Sequence, residues 1–140
     1  MSASRDETVG APARVFTRCY PGRPDQVRRA RAFLGAVLDG CPGAGDAILC
    51  LSEIVSNAIQ HSASGAPGGQ FTVHVEVDEQ GRVRVAVADG GGTWREPPRD
   101  GEHGRGLAIV RALASDLNIA GDETGRVVSF RCEPGGFAVL

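Results

Sequence analysis

Two valine-rich runs constrain this chain more than any other feature. Phe71, Val73, Val75 and Val77 alternate with Thr72, His74, Glu76 and Asp78, and Val83, Val85 and Val87 repeat the pattern after a Gln80-Gly81 turn. A period of two places every apolar side chain of a run on one face. A slip of one residue would turn that whole set to water, so the register is strongly specified. The runs predict an antiparallel hairpin with one buried face.

The other elements are arranged around it. Arg14 to Tyr20 alternates Val15, Thr17 and Cys19 against Phe16 and Arg18, which suits a strand ended by Pro21-Gly22. Pro24-Asp25 opens a helix with Val27, Ala30, Phe33, Leu34, Val37 and Leu38 at helical spacing, stopped by Gly40-Cys41-Pro42-Gly43. A second helix runs from about Asp46 to His61, and residues 62–69 form a loop. Residues 89–103 are a long Gly/Pro-rich loop, and Gly104 to Leu113 is a short helix with Leu107, Val110 and Leu113 on one side. Leu117–Ala120 and Arg126–Cys132 read as strands around a Gly121–Gly125 turn. Residues 1–12 are a disordered lead-in, 13–133 the domain and 134–140 a Gly/Pro-broken tail. The order β-α-α-β-β-α-β-β gathers helices between hairpins. It points to an α+β, two-layer α/β sandwich, with a mixed sheet packed by three helices.

Composition excludes several roles. The chain has 140 residues, one domain's length, with 41% hydrophobic and 23% charged residues, a soluble globular balance. A net charge of −2 and a pI near 5.9 attract neither nucleic acid nor an anionic membrane. No apolar run approaches the roughly 20 residues that span a bilayer. The stretch from Met1 to Arg14 is too polar for a signal peptide. A cytoplasmic location is therefore expected. Cys19, Cys41, Cys50 and Cys132 form no C-x-x-C pair and have no histidine cluster beside them, which argues against zinc. In that compartment they read as buried thiols.

The second helix carries the first sign of chemistry. Ile48, Leu51, Val55, Ala58 and Ile59 make an apolar stripe, while Glu53, Asn57 and His61 stand four residues apart on roughly the opposite side, flanked by Ser56 and Gln60. Most such clusters are solvated surface. Here Asn57 is a poor mid-helix residue, because its amide competes for backbone hydrogen bonds. Residues 44–61 also lack the Lys or Arg usual on a solvent face.

Two loops extend the pattern. The strand ending in Val87 runs into Ala88-Asp89-Gly90-Gly91-Gly92. A carboxylate there can accept a hydrogen bond from an amine, and glycine lets a flat ring approach the backbone. Gly101-Glu102-His103-Gly104-Arg105-Gly106-Leu107 then opens a helix, whose free N–H groups and positive dipole end suit a phosphate. A dinucleotide fingerprint of the Rossmann kind needs a strand just before its glycines, and residues 94–100, Trp-Arg-Glu-Pro-Pro-Arg-Asp, cannot form one.

Glu53-x-x-x-Asn57-Ala58-x-x-His61, then Asp89-x-Gly91, then Gly101-x-x-Gly104-x-Gly106-Leu107 resemble the N, G1 and G2 boxes of the GHKL (histidine kinase-like) ATPases, in order and spacing. The likeness runs from about Ala13 to Glu133 and implies a Bergerat-type ATP-binding fold. The string Leu51-Ser52-Glu53-Ile54-Val55-Ser56-Asn57-Ala58 is especially similar to the RsbW-like anti-sigma-factor serine/threonine kinases.

The resemblance implies roles. Asn57 would hold Mg²⁺, Asp89 would bind the adenine amine, and Gly91, Gly104, Arg105, Gly106 and Leu107 would wrap ATP, with Ser56 and His61 beside the phosphates. Glu53 would be the general base. These assignments agree with Mg²⁺ favouring oxygen ligands and with a carboxylate one helical turn away accepting a hydroxyl proton. In the anti-sigma kinases an arginine of the first helix meets the protein partners. Arg31 matches it best among Arg28, Arg29 and Arg31, which otherwise read as solvated surface. A sigma factor and an antagonist protein are the implied partners, and a homodimer is compatible with the family.

The sequence departs from the family twice. Thr93 stands where the G1 box often ends in glycine, and Gly125 is followed by Arg126 and Val127 where a Gly-Thr pair is usual. Ser129 is the next hydroxyl on that strand, its face undetermined by the pattern. Three functional readings follow: an anti-sigma-type serine kinase, a non-catalytic ATP-sensing binding module, and a histidine kinase catalytic fragment. The last lacks room for a dimerisation helix pair carrying the phosphoacceptor. The presence of Glu53 favours the first over the second.

Overall fold

In the computed structural model, which describes residues 14–41, 43–90, 110, 115–122 and 124–132, the hairpin forms as its alternation requires. Strands β2 (Gln70–Val77) and β3 (Val83–Asp89) pair antiparallel, with Val77 opposite Val83 and Val73 opposite Val87. Phe71, Val73, Val75, Val85 and Val87 are sealed from solvent. In the turn, the Asp78 carboxylate accepts the N–H groups of Gln80 and Arg82 and pairs with the Arg82 guanidinium at 2.9 Å.

Three more strands extend this hairpin: β1 (Arg14–Pro21) on the β2 side, β5 (Gly125–Cys132) against β3, and β4 (Ser115–Asp122) at the far edge. The order is β1-β2-β3-β5-β4. The α+β architecture is the expected one, but each described strand pairing is antiparallel, where a mixed sheet was expected. The reason is the last hairpin. β4 takes the edge and β5 folds back between it and β3, so β3 and β4, which run the same way, never become neighbours.

Both described α-helices pack on one face of this sheet. Helix α1 (Val27–Val37), entered through a 3₁₀ turn at Pro24–Gln26, buries Ala30 and Leu34. Helix α2 (Ala44–His61) buries Ala47, Cys50, Leu51, Ile54, Val55 and Ala58. This strip is rotated from the expected one, with Ile48 and Ile59 only half-buried. The cause is that α2 is pressed from two sides, by the valine face of the sheet and by α1. Each fully buried Val, Leu or Ile side chain contributes about 1.5–3 kcal/mol. Tyr20 stacks on Phe71 with ring centroids 5.3 Å apart, tying β1 into the same core. Of the expected helix at 104–113 only Val110 is described; it is helical and fully buried in that core. The expected lead-in at 1–12 and tail at 134–140 lie outside the described residues. Among those residues, no helix is long and apolar enough to cross a membrane.

The other face of the sheet is mixed, with Thr17, His74 and Glu76 beside the exposed Val15 and Val127. His74 joins Thr17 Oγ1 through Nδ1 and Glu76 through Nε2, both at 2.9 Å, across β1 and β2. Cys19 lies on this face and is exposed, as is Cys41 after α1, whereas Cys50 and Cys132 are buried. The expectation of four buried thiols therefore fails for two of them. Cys19 has the strand parity that faces away from the helices, and Cys41 lies in the connection between α1 and α2. Burial, reinforced by the Asp46 and Glu53 carboxylates, pushes the Cys50 thiol up to about 11.

Two measurements check this packing. Gly22 is buried where β1 ends, donating to the Gly69 carbonyl at 2.9 Å, and a Cβ there would run into the Ser64 carbonyl. Gly22→Ala is expected to cost about 1–3 kcal/mol through overpacking, read as a lower urea midpoint at unchanged slope. A thiol reagent at pH 8 is expected to label Cys19 and Cys41 in the native protein, and Cys50 and Cys132 only after denaturation, because thiolate access governs the reaction. Fast native labelling at Cys50 would contradict its placement.

Candidate functional site

The valine face of the sheet ends in charge. Asp89 follows Val83, Val85 and Val87 on the inner side of β3, and Arg126 precedes Val128, Phe130 and Cys132 on the inner side of β5. The β3–β5 register sets Asp89 and Arg126 directly opposite each other. Above them stands the second half of α2. Ile54, Asn57 and Ala58 of that helix, with Asp89, Ile119, Arg126 and Val128 of the sheet, line one cleft. Its walls are apolar, and one carboxylate, one carboxamide and one guanidinium converge on it. Apolar walls with a few polar groups are the usual lining of a small-ligand pocket, and the free space enclosed here is about 10 Å³.

The helix supplies the remaining candidates. Glu53, Ser56, Asn57 and His61 are all half-buried along one strip of α2. Asn57 lines the cleft, while Glu53 and His61 stand one helical turn to either side of it, outside the lining. The His61 Nε2 atom is shielded from water and has no hydrogen-bond partner among the described residues. Arg31 is exposed on α1, with Arg28 and Arg29, and takes no part in the cleft. Gly91, Gly104, Arg105, Gly106 and Leu107 lie outside the described residues, as do Thr93 and Trp94.

A short relay ties the helix end to the Asp89 turn. Ser62 Oγ donates to the Ala58 carbonyl at 2.6 Å, satisfying a group that the end of α2 would leave open, and accepts the Ser64 N–H at 3.0 Å. Ser64, almost wholly buried, accepts the Gly90 N–H at 2.9 Å through its own hydroxyl. The loop between α2 and β2 thereby holds the backbone that follows Asp89.

Sequence reasoning missed this relay, although Ser-x-Ser at a helix end is a local capping signal. It noted Arg126 only for lacking a hydroxyl. Counting back by twos from the apolar Val128 and Phe130 would have placed Arg126 on the inner face. Ser129 is on the other side: it is buried on the outer face and accepts from Arg84 at 3.2 Å, so it cannot stand in for a hydroxyl in the cleft.

The donor chemistry fits a nucleotide. An apolar slot holding a carboxylate suits a flat ring bearing an amine, and an amide oxygen suits Mg²⁺, which takes its other ligands from phosphates and water. Ser64→Ala is expected to cost about 1 kcal/mol and to speed amide exchange at Gly90, measured by NMR. Unchanged exchange would remove Ser64 from the turn's support.

A family model described as the histidine kinase-like ATPase domain matches residues 20–132. The fold is similar to the crystal structure of the RsbU and RsbW domains of a Mycobacterium tuberculosis protein, with a TM-score of 0.67 and 24% identity over 92% of this chain. The chain spans 36% of that one. A histidine kinase domain from the blue-light activated histidine kinase of Erythrobacter litoralis matches with a TM-score of 0.47 and 21% identity, over 89% of this chain and 70% of its own.

Proposed function

Since this chain belongs to the histidine kinase-like ATPase domain family, we propose that it binds Mg-ATP in the cleft between α2 and the β3–β5 end of the sheet, and serves as an anti-sigma-type serine kinase. In this role it binds a sigma factor and phosphorylates an antagonist protein on serine. The observation that carries the reading is that Asn57 and Asp89, 32 positions apart in sequence, line one apolar-walled cleft. The N-box string around Glu53 and the RsbW-domain likeness in fold support the choice among kinases.

The residues divide the work by their chemistry. Asp89 can only accept hydrogen bonds when ionised, and holds the exocyclic amine of the base. Asn57 offers a carboxamide oxygen to the metal. Mg-ATP bound there supplies the phosphoryl group for transfer. Glu53, one helical turn from Asn57, takes the proton of an attacking serine hydroxyl. Arg31, exposed on α1, belongs to the partner surface and leaves the cleft to the nucleotide.

Binding is tested first. Millimolar ATP with Mg²⁺ is expected to raise the melting temperature, since a ligand of the folded state stabilises it by mass action. Asn57→Ala loses affinity mainly when Mg²⁺ is present. Asp89→Asn loses it with or without the metal, and parent-like binding by both variants would refute the site.

Catalysis is tested separately. A base acts in the transition state, so Glu53→Gln keeps ATP affinity while phosphoryl transfer slows by roughly 10²–10⁴-fold. The readout is phosphoserine on a co-purified antagonist, counted by mass spectrometry. A parent protein that grips or releases that partner according to nucleotide, yet never phosphorylates it, would make the chain an ATP sensor.

A further inference from the structure

The cleft contains a cation that neither metal binding nor proton transfer calls for. Arg126 sits where the sheet's inner face ends, directly across from Asp89. Its place is held from behind. Gly121 of β4, at φ +112, lies so close that a Cβ would run into the Gly125 carbonyl and stand 2.7 Å from Arg126 Cα. Arg126 is half-buried. With Asp89, Ile119 and Val128 it makes up the sheet residues that line the cleft.

We infer that Arg126 reads the base, donating a hydrogen bond to the ring nitrogen N1 of adenine while Asp89 accepts from the neighbouring exocyclic amine. The inference rests on the nucleotide reading above and adds which atoms of the base are recognised. A guanidinium has donors only and an ionised carboxylate has acceptors only. Set opposite each other across two strands, they present one acceptor and one donor side by side. Adenine carries the complement on one edge, an amine next to an unprotonated ring nitrogen. Guanine carries the reverse there, a carbonyl oxygen next to an N–H, so each protein group would meet its own kind. Unpaired buried polar groups are what give such sites their discrimination. With a guanidinium as donor the contact to the base would be charge-assisted, and so of the stronger kind.

The test uses ATP and 1-deaza-ATP, which keeps the amine and triphosphate but has C–H in place of the N1 nitrogen. Both are titrated by calorimetry, in Mg²⁺, into the full chain and into Arg126→Met, which retains the aliphatic stem and loses the donors. The parent is expected to bind ATP roughly tenfold more tightly than 1-deaza-ATP, the worth of one hydrogen bond from a charged donor. Arg126→Met is expected to bind the two equally, near the parent's affinity for the deaza compound. Because both ligands carry the same phosphates, an arginine acting on phosphate or stacking on the ring would weaken both together and leave the parent without a preference. Equal binding of the two by the parent overturns the inference while the ATP site stands, and that arm needs no variant to fold. A parent that binds neither removes the ATP reading itself, and this inference with it.

Discussion

The contact on which the rest of the structure depends is the burial of α2 against the valine face of the β2–β3 hairpin. Leu51, Ile54 and Val55 share one core with Val73, Val75, Val85 and Val87, all sealed from solvent or nearly so. Interiors pack at crystal-like density, so this contact fixes the rotation of the helix as well as its position. Once the rotation is set, Asn57 has one place to go. It lies at the rim of the buried strip, over the strand ends where the apolar face gives out. The polar residues four positions before and after it share that strip.

The cleft is thus the place where the core stops before the layers do. Continued alternation on β3 and β5 brings Asp89 and Arg126 to the inner face after three apolar residues on each strand. There a carboxylate and a guanidinium share an apolar-walled cleft with Asn57. Electrostatic and hydrogen-bonding interactions count for more there than on an open surface. The Ser62–Ser64–Gly90 relay makes the arrangement one unit, because the end of the helix and the Asp89 turn are held by the same short loop.

Local patterns in the chain announced much of this. The hairpin, both helices and the strand pair at 115–132 were legible because periods of two and 3.6 are written directly in the residue types. Asn57 and Asp89, which line the cleft, stood out because their types are unusual for their local settings. The polarity of the sheet was not legible. Whether β4 or β5 lies beside β3 is a matter of chain path, and no residue pattern encodes it. The exposed thiols of Cys19 and Cys41 were also missed. A cysteine's burial depends on which strand face or connection holds it, and compartment arguments do not reach that level. The rotated strip on α2 failed for a related reason. A stripe drawn from one helix assumes one neighbour, and this helix has two.

What the sequence determined by itself was the set of elements, the apolar face of the hairpin and the residues able to do chemistry, since all of these follow from short-range spacing and side-chain type. What only the tertiary structure decided was which of those residues meet. Asp89 comes under α2 because the hairpin packs there. Arg126 comes opposite Asp89 because β5 inserts between β3 and β4. Those juxtapositions join residues far apart in the chain, and they are set by strand pairing and by packing between layers, which no local pattern contains.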